Sequence, residues 1–247
     1  MKESAYSDGS YREMNPDWHA ADSPWKAERI AAILREQAVE FHSCVEVGCG
    51  AGGVLARVAE YLPGKCYTGY DVSSDAAASW RPLPPALSYR QGDFASSNEV
   101  CDLLLLIDVF EHVEDYMSFL RKLSRRARWF VFHIPLEMHL SALLRDRHLH
   151  SRRQVGHLHY FSRATALATL EDTGYRIVKA EYTNLSRETQ EGRRTLTILA
   201  NLARAAIQSI SIDLAAKLLG GYSLLVLCRS AEPPEGDTIG RPDSATK

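Results

Sequence analysis

The run Asp102–Val109, DLLLLIDV, constrains the fold more than any other stretch. It is continuously apolar, bounded by aspartates, and far too short to span a membrane. A strand that is apolar on both sides of its pleat belongs inside a parallel sheet with both faces covered. Six further runs read as strands: Cys44–Val47, Cys66–Tyr70, Leu87–Arg90, Trp129–Ile134, Tyr175–Tyr182 and Tyr222–Cys228. Helical patterns lie between most of them. Ser23-Pro24 starts one, and Ile30, Ile33, Leu34 and Ala38 continue it at helix spacing. Val54, Leu55, Val58, Tyr61 and Leu62 form the next apolar face. Ser74–Trp80 and Asp115–Arg126 also read as helical, and Ser162 caps a helix that runs to Asp172. The expected fold is α/β: a doubly wound, mostly parallel seven-stranded sheet. A helical insertion, about residues 185–220, precedes the last strand.

At 247 residues the chain is long enough for one sizeable core and short for two ordinary domains. The organisation expected is an N-terminal arm at 1–24, a single domain at 25–230, and a disordered tail at 231–247 that has little to bury. The arm carries Tyr6, Tyr11 and Trp18, so it reads as a segment that packs over the domain like a lid. A net charge of −2 argues against a uniformly basic nucleic-acid binder, and no dedicated nucleic-acid module is visible. Five scattered cysteines without a C-x-x-C pair make a poor disulfide or zinc framework and favour a cytoplasmic setting. The apolar insertion Leu196–Leu219 could cover the sheet, line a pocket or form a homodimer.

The sharpest local signal is Glu46-Val47-Gly48-Cys49-Gly50-Ala51-Gly52-Gly53, between a strand and a helix. Glycines there permit a tight turn and close approach of a ligand to the backbone. Gly48, Gly50 and Gly53 also satisfy the dinucleotide pattern, and Asp71 ends the second strand where a ribose-binding acid belongs. Glu46 weighs against a pyrophosphate. A carboxylate beside the turn suits a ligand with an ammonium group and a sulfonium. Gln91-Gly92-Asp93-Phe94 offers an acceptor and an aromatic face for adenine, and Asp108 ends the fourth strand with a further acid.

On VEVGCGAGG (45–53), YTGYDVS (67–73), QGDF (91–94) and DLLLLIDVFEHVED (102–115), the chain resembles the class I S-adenosylmethionine-dependent methyltransferases. The resemblance covers roughly 25–183 and the final strand, and residues 155–161 (VGHLHYF) are similar to the same loop in a subgroup linked to small-molecule or surface-glycan pathways. The short loop Arg125–Arg128 departs from it by lacking the Pro-Gly-Gly common in the family. The resemblance implies S-adenosylmethionine as cofactor, with Glu46, Gly48, Gly50 and Gly52 beside the methionine part and ribose. It implies Asp71 and Val72 at the ribose, Asp93 and Phe94 at adenine, and Asp108 near the methionine end.

Methyl transfer from a sulfonium is an in-line displacement, so the protein must hold the acceptor, exclude water and take a proton from a hydroxyl acceptor. His112, His133 and His157 are the candidate bases. The segment Arg145–Phe161 contains two H-x-H pairs, His148/His150 and His157/His159. If extended, it would turn each pair to one side. No carboxylate is placed to complete a metal set, so none is assigned. Arg152, Arg153, His159 and Tyr160 are the candidate acceptor contacts. Residues 121–163 hold ten Arg or Lys against two acids, a local balance of +8, and arginines suit carboxylate or phosphate. The acceptor expected is therefore small and anionic: a sugar, a sugar nucleotide or a small acid. The rival readings are a non-catalytic binding protein on the same fold and an NAD-linked oxidoreductase.

Overall fold

Leu104 and Leu106 pack with Val45, Phe130 and Phe132 on one side of a sheet, while Leu103, Leu105 and Ile107 pack with Cys44, Trp129 and Val131 on the other. That division is the period-2 pattern of a strand buried on both faces. The computed structural model describes residues 20–80, 85–184 and 207–232. Nearly all of the expected arm, residues 185–206 of the insertion and all but the first two residues of the tail lie outside them.

Within those residues the chain runs α1 (Ser23–Glu36), β1 (Ser43–Val47), α2 (Gly53–Tyr61), β2 (Cys66–Asp71), α3 (Ser74–Ser79) and β3 (Leu87–Gln91). It continues with β4 (Cys101–Ile107), α4 (Tyr116–Leu123), β5 (Ala127–Pro135), α5 (Leu140–Leu143), α6 (Arg147–Gln154) and α7 (Arg163–Asp172). It closes with β6 (Tyr175–Thr183), α8 (Ile212–Leu219) and β7 (Ser223–Ser230). The strands form one seven-stranded sheet in the order β3-β2-β1-β4-β5-β7-β6. All neighbours are parallel except β7, which runs antiparallel to β5 and β6. The doubly wound, mostly parallel sheet is as the sequence implies.

α1 and α2 cover one face through Ala27, Ile30, Leu34, Leu55 and Val58. α4, α7 and α8 cover the other through Leu120, Leu123, Ala166, Leu170 and Ala215. Local chemistry sets the ends of these elements. Ser162 and Thr165 form a reciprocal capping box at α7. Asp102 Oδ2 accepts from His42 N–H and Ser43 N–H, both at 2.9 Å, which pins the start of β1 beside β4. β4 stops at Ile107, two residues before the apolar run does, because Asp108 turns into the left-handed region at φ 54°. From β1 the sheet grows towards β2 on one side and β4 on the other. In such sheets the crevice at the carboxyl ends of these strands is where ligands bind.

One expectation fails here. Arg147–Gln154 is helical, not extended. Residues two apart on a helix point to different sides, so His148 and His150 share no face. His148 Nε2 bonds to the Glu137 carbonyl at 2.8 Å, while His150 borders the cavity described next.

Candidate active site

A cavity of about 820 Å³ opens at the carboxyl ends of β1, β2, β4 and β5. The glycine turn forms its floor. Gly48, Gly50 and Gly52 all have positive φ, at 70°, 51° and 80°. A Cβ on Gly48 would meet Val109 Cγ2 at 2.9 Å, and one on Gly52 would meet the Tyr89 ring at 2.2 Å. Tyr89 supports the turn by donating its hydroxyl to the Gly52 carbonyl at 2.6 Å, and Trp80 Nε1 donates to the Gly50 carbonyl at 2.9 Å. The two rings stack with centroids 5.2 Å apart.

Asp71 joins the turn to β2. Its Oδ2 accepts from Gly50 N–H at 2.7 Å and its Oδ1 from Ser73 N–H at 2.8 Å. Burial raises its carboxyl above the ordinary value, and those two donors partly offset the effect. Each oxygen keeps a lone pair for a ligand. Val72 beside it is 59% exposed, an apolar side chain on the cavity rim. Asp93 borders the cavity and caps the turn after β3, accepting from Ala95 N–H at 2.9 Å. Phe94 is fully buried, 5.2 Å from the Tyr70 ring, so it backs the wall from within the core and offers no open aromatic face.

Glu46 lies under the turn at 2% exposure, its Oε2 accepting from Leu55 N–H at 3.1 Å. Burial pushes its carboxyl from 4.5 up to about 8, against the pull of the Leu55 N–H and of Lys26. The folded protein therefore holds a proton on Glu46 that the unfolded chain gives up. Stability contributed by this group falls as pH rises from 4.5 to about 8. Glu46→Gln is expected to remove that slope in chemical denaturation at pH 5, 7 and 9. An unchanged profile in the variant would rule out this titration.

Asp108 is the hub of the wall between α1 and β5. Its Oδ2 accepts from Lys26 Nζ at 2.7 Å, and its Oδ1 lies 2.6 Å from His133 Nδ1. Burial would raise Asp108, but His133 and Lys26 outweigh it and hold the carboxyl far below its ordinary range. Burial alone would lower Lys26, yet Asp108 raises it. His133 Nε2 sits 3.1 Å from Thr183 Oγ1, so both ring nitrogens have partners and the ring serves as a wall. Trp25 stands edge-on to it at 6.0 Å.

A second group of residues lines the far lobe. His157 Nδ1 pairs with Glu137 Oε2 at 2.7 Å, and Ser151 Oγ donates to Glu137 Oε1 at 2.7 Å. Burial works to raise Glu137, but the hydrogen bond from His157 overrides it and the carboxyl is lowered. His112 stands edge-to-face with His157, ring centroids 4.8 Å apart. Burial, then His157, pushes His112 down to about 3.

The structure thus brings together Glu46, Gly48, Gly50, Asp71, Val72, Asp93, Asp108 and all three histidines at the cavity, with Phe94 buried in its wall and Gly52 outside the lining. It does not bring the four candidate acceptor contacts into the cavity lining. Arg152 and Arg153 are exposed on α6. His159 Nε2 donates to the Val113 carbonyl at 2.9 Å, and Tyr160 donates its hydroxyl to the His148 carbonyl at 2.7 Å. Both side chains are spent on holding the loop. Lys26, Tyr89, Trp80 and Glu137 also shape the site and carry no sequence signal of it. Each acts on a partner distant in sequence, so no local spacing marks it.

An open α/β sheet with a glycine turn, flanking acids and a crevice at the switch between β1 and β4 defines a nucleotide-type ligand site. The methyltransferase-domain family profile matches residues 18–180, and the chain belongs to that family. No curated protein sequence matches it. Among solved structures, a plantazolicin methyltransferase, BpumL, in complex with a monoazolic desmethylPZN analog and S-adenosylhomocysteine, aligns with TM-score 0.59 and 16% identity over 93% of each chain. Magnesium protoporphyrin IX methyltransferase (ChlM) from Synechocystis PCC 6803, with bound S-adenosylhomocysteine, aligns with TM-score 0.57 and 14% identity, covering 84% of this chain and 83% of its own. The [4+2]-cyclase SpnF aligns with TM-score 0.56 and 17% identity over 84% and 82%. At such identities the likeness is one of fold.

Proposed function

We propose that the protein transfers a methyl group from S-adenosylmethionine to a small acceptor held in the far lobe of the same cavity. The observation that carries this reading is the floor: three glycines in left-handed conformations, no room for a Cβ at Gly48 or Gly52, and Asp71 clamping the turn from β2. The residues fit the group. Asp71 has lone pairs for ribose hydroxyls, Val72 offers an apolar edge for a base, and Asp93 lies at the rim. Asp108 supplies negative charge for an ammonium, Glu46, protonated below about pH 8, offers hydrogen bonding rather than charge, and Lys26 has further donors for a carboxylate. When bound, S-adenosylmethionine supplies an activated methyl group, which the chain itself lacks.

The chain's own work is positioning and proton handling. The glycine turn and Asp71 fix one partner. The lobe lined by Glu137, Ser151, Gln154 and His157 holds the other. A hydroxyl acceptor gives up its proton in the part of the cavity lined by His112 and His157, because His133 is engaged at both nitrogens. The arginines of α6 lie outside the cavity, so its walls give an anionic acceptor no special support. The acceptor proposed is a small molecule with a proton to lose.

Calorimetric titration with S-adenosylhomocysteine, with NADH as control, tests the cofactor. Micromolar binding of the first alone is expected, and binding of NADH alone would overturn the reading. A screen for S-adenosylhomocysteine release then finds acceptors and separates methyl transfer from a cyclase or binding role. With an acceptor in hand, His157→Ala should lower kcat by about 100-fold or more while S-adenosylhomocysteine affinity stays within about threefold. Full activity in that variant would remove His157 from the chemistry.

A further inference from the structure

Glu111 is fully buried in the 3-10 turn Phe110–His112 that follows β4. Its backbone carbonyl accepts from Leu158 N–H at 2.8 Å and His159 N–H at 3.1 Å. Those bonds join the turn to the segment after α6 and set His157 opposite Glu111 and His112. One donor atom from each of the three residues lies within 4.8 Å of the others. Apart from a contact with its own backbone N–H, neither carboxylate oxygen of Glu111 has a hydrogen-bond partner among the described residues. A buried carboxyl group left this way is costly, and a cation removes the cost.

Each histidine is also backed by another group. His157 Nδ1 is held by Glu137, itself held by Ser151. His112 is hydrogen-bonded to the backbone of Gly156. A carboxylate or carbonyl behind the ring is the usual support of a metal-ligating histidine, because it fixes the tautomer and the ring's direction.

We propose that Glu111, His112 and His157 bind a divalent transition-metal ion of the zinc and cobalt class. Two imidazoles and one carboxylate suit such an ion better than magnesium or calcium, which favour all-oxygen sets. With bonds of ~2.0–2.2 Å the three donors must draw together by roughly an ångström, within reach of side-chain torsions. Three protein ligands leave positions open, and His112 and His157 both line the cavity, so an open position faces the acceptor lobe. The catalytic use of the site rests on the methyl-transfer reading. An acceptor hydroxyl bound to the ion loses its proton to solvent more readily. The resulting oxygen lone pair forms the bond to the methyl carbon as the S–C pair returns to sulfur.

The full chain, stripped with a chelator, is titrated with Co²⁺ and read by visible absorption, with Zn²⁺ as competitor. One Co²⁺ per chain, displaced by Zn²⁺, is expected. Glu111→Gln and His157→Ala should each weaken it by at least about 100-fold and Glu137→Gln by about tenfold. Unchanged S-adenosylhomocysteine affinity in Glu111→Gln would show that the fold and the cofactor site are intact. No Co²⁺ binding by the wild type, or equal binding by Glu111→Gln and His157→Ala, overturns the metal site whatever the S-adenosylhomocysteine titration shows. Loss of S-adenosylhomocysteine binding by the wild type would instead strike the methyltransferase reading and leave the Co²⁺ result standing.

Discussion

Asp71→Ala is expected to weaken S-adenosylhomocysteine binding by about 100-fold or more. Two losses combine. The variant removes the acceptor proposed for the ribose hydroxyls, and it orphans Gly50 N–H and Ser73 N–H, which Asp71 now satisfies at 2.7 and 2.8 Å. Hydrogen bonds to a charged group are worth about 1.5–3 kcal/mol, and about 2.8 kcal/mol corresponds to a hundredfold change in affinity. Asp71→Asn keeps one acceptor oxygen and should fall between. Calorimetry on the three proteins, with thermal melts to check folding, decides the matter. Binding by Asp71→Ala within fivefold of wild type would mean that the turn holds its shape alone and the acid does not touch the ligand.

The largest effect on stability is expected at Asp108. Its carboxylate is the only oxygen acid among the described residues within ion-pair distance of Lys26, and the Lys26 side chain is 13% exposed. Removing one partner of such a pair leaves an uncompensated charge and costs about 3 kcal/mol. Alanine adds a smaller cost, because Asp108 sits at φ 54°, a region where Asn and Asp are better tolerated than other L-residues. Asp108→Asn is therefore the control that keeps the backbone and removes the charge. The cycle is completed by Lys26→Met and by Lys26→Met combined with Asp108→Ala. The double variant should be less destabilised in urea than the sum of the single variants. Simple additivity would show that the two charges are separately solvated and that α1 is not tied to the site through them.

The parts of the fold visible in the sequence are those written in local chemistry. DLLLLI announces a doubly covered strand by composition alone, and Ser162 marks the start of α7. The glycine turn is legible because left-handed backbone leaves few alternatives to glycine. α6 was illegible for the opposite reason. RHLHSRRQ has no buried residue, so no apolar period reveals the helix, and the His148/His150 pair suggests an extended segment instead. The supports of the site were hidden by distance in sequence: Lys26 meets Asp108 across 82 residues and His157 meets Glu137 across 20. Phe94 looked like a stacking platform, but its position directly after the strand-end acid drops it into the core against Tyr70.

The placement of β7 bears on how this chain is made. It lies between β5 and β6 although it follows both in sequence. During synthesis, β5 and β6 leave the ribosome without the strand that joins them, and each presents an open row of backbone donors and acceptors. The wait lasts until Ser223–Ser230 emerges, and the pairing of β5 with β7 then closes a separation of some ninety residues. Long-range pairing of that kind is slow. Nascent chains stalled before residue 223 would therefore be the aggregation-prone species, and chaperone demand would concentrate in that window of translation.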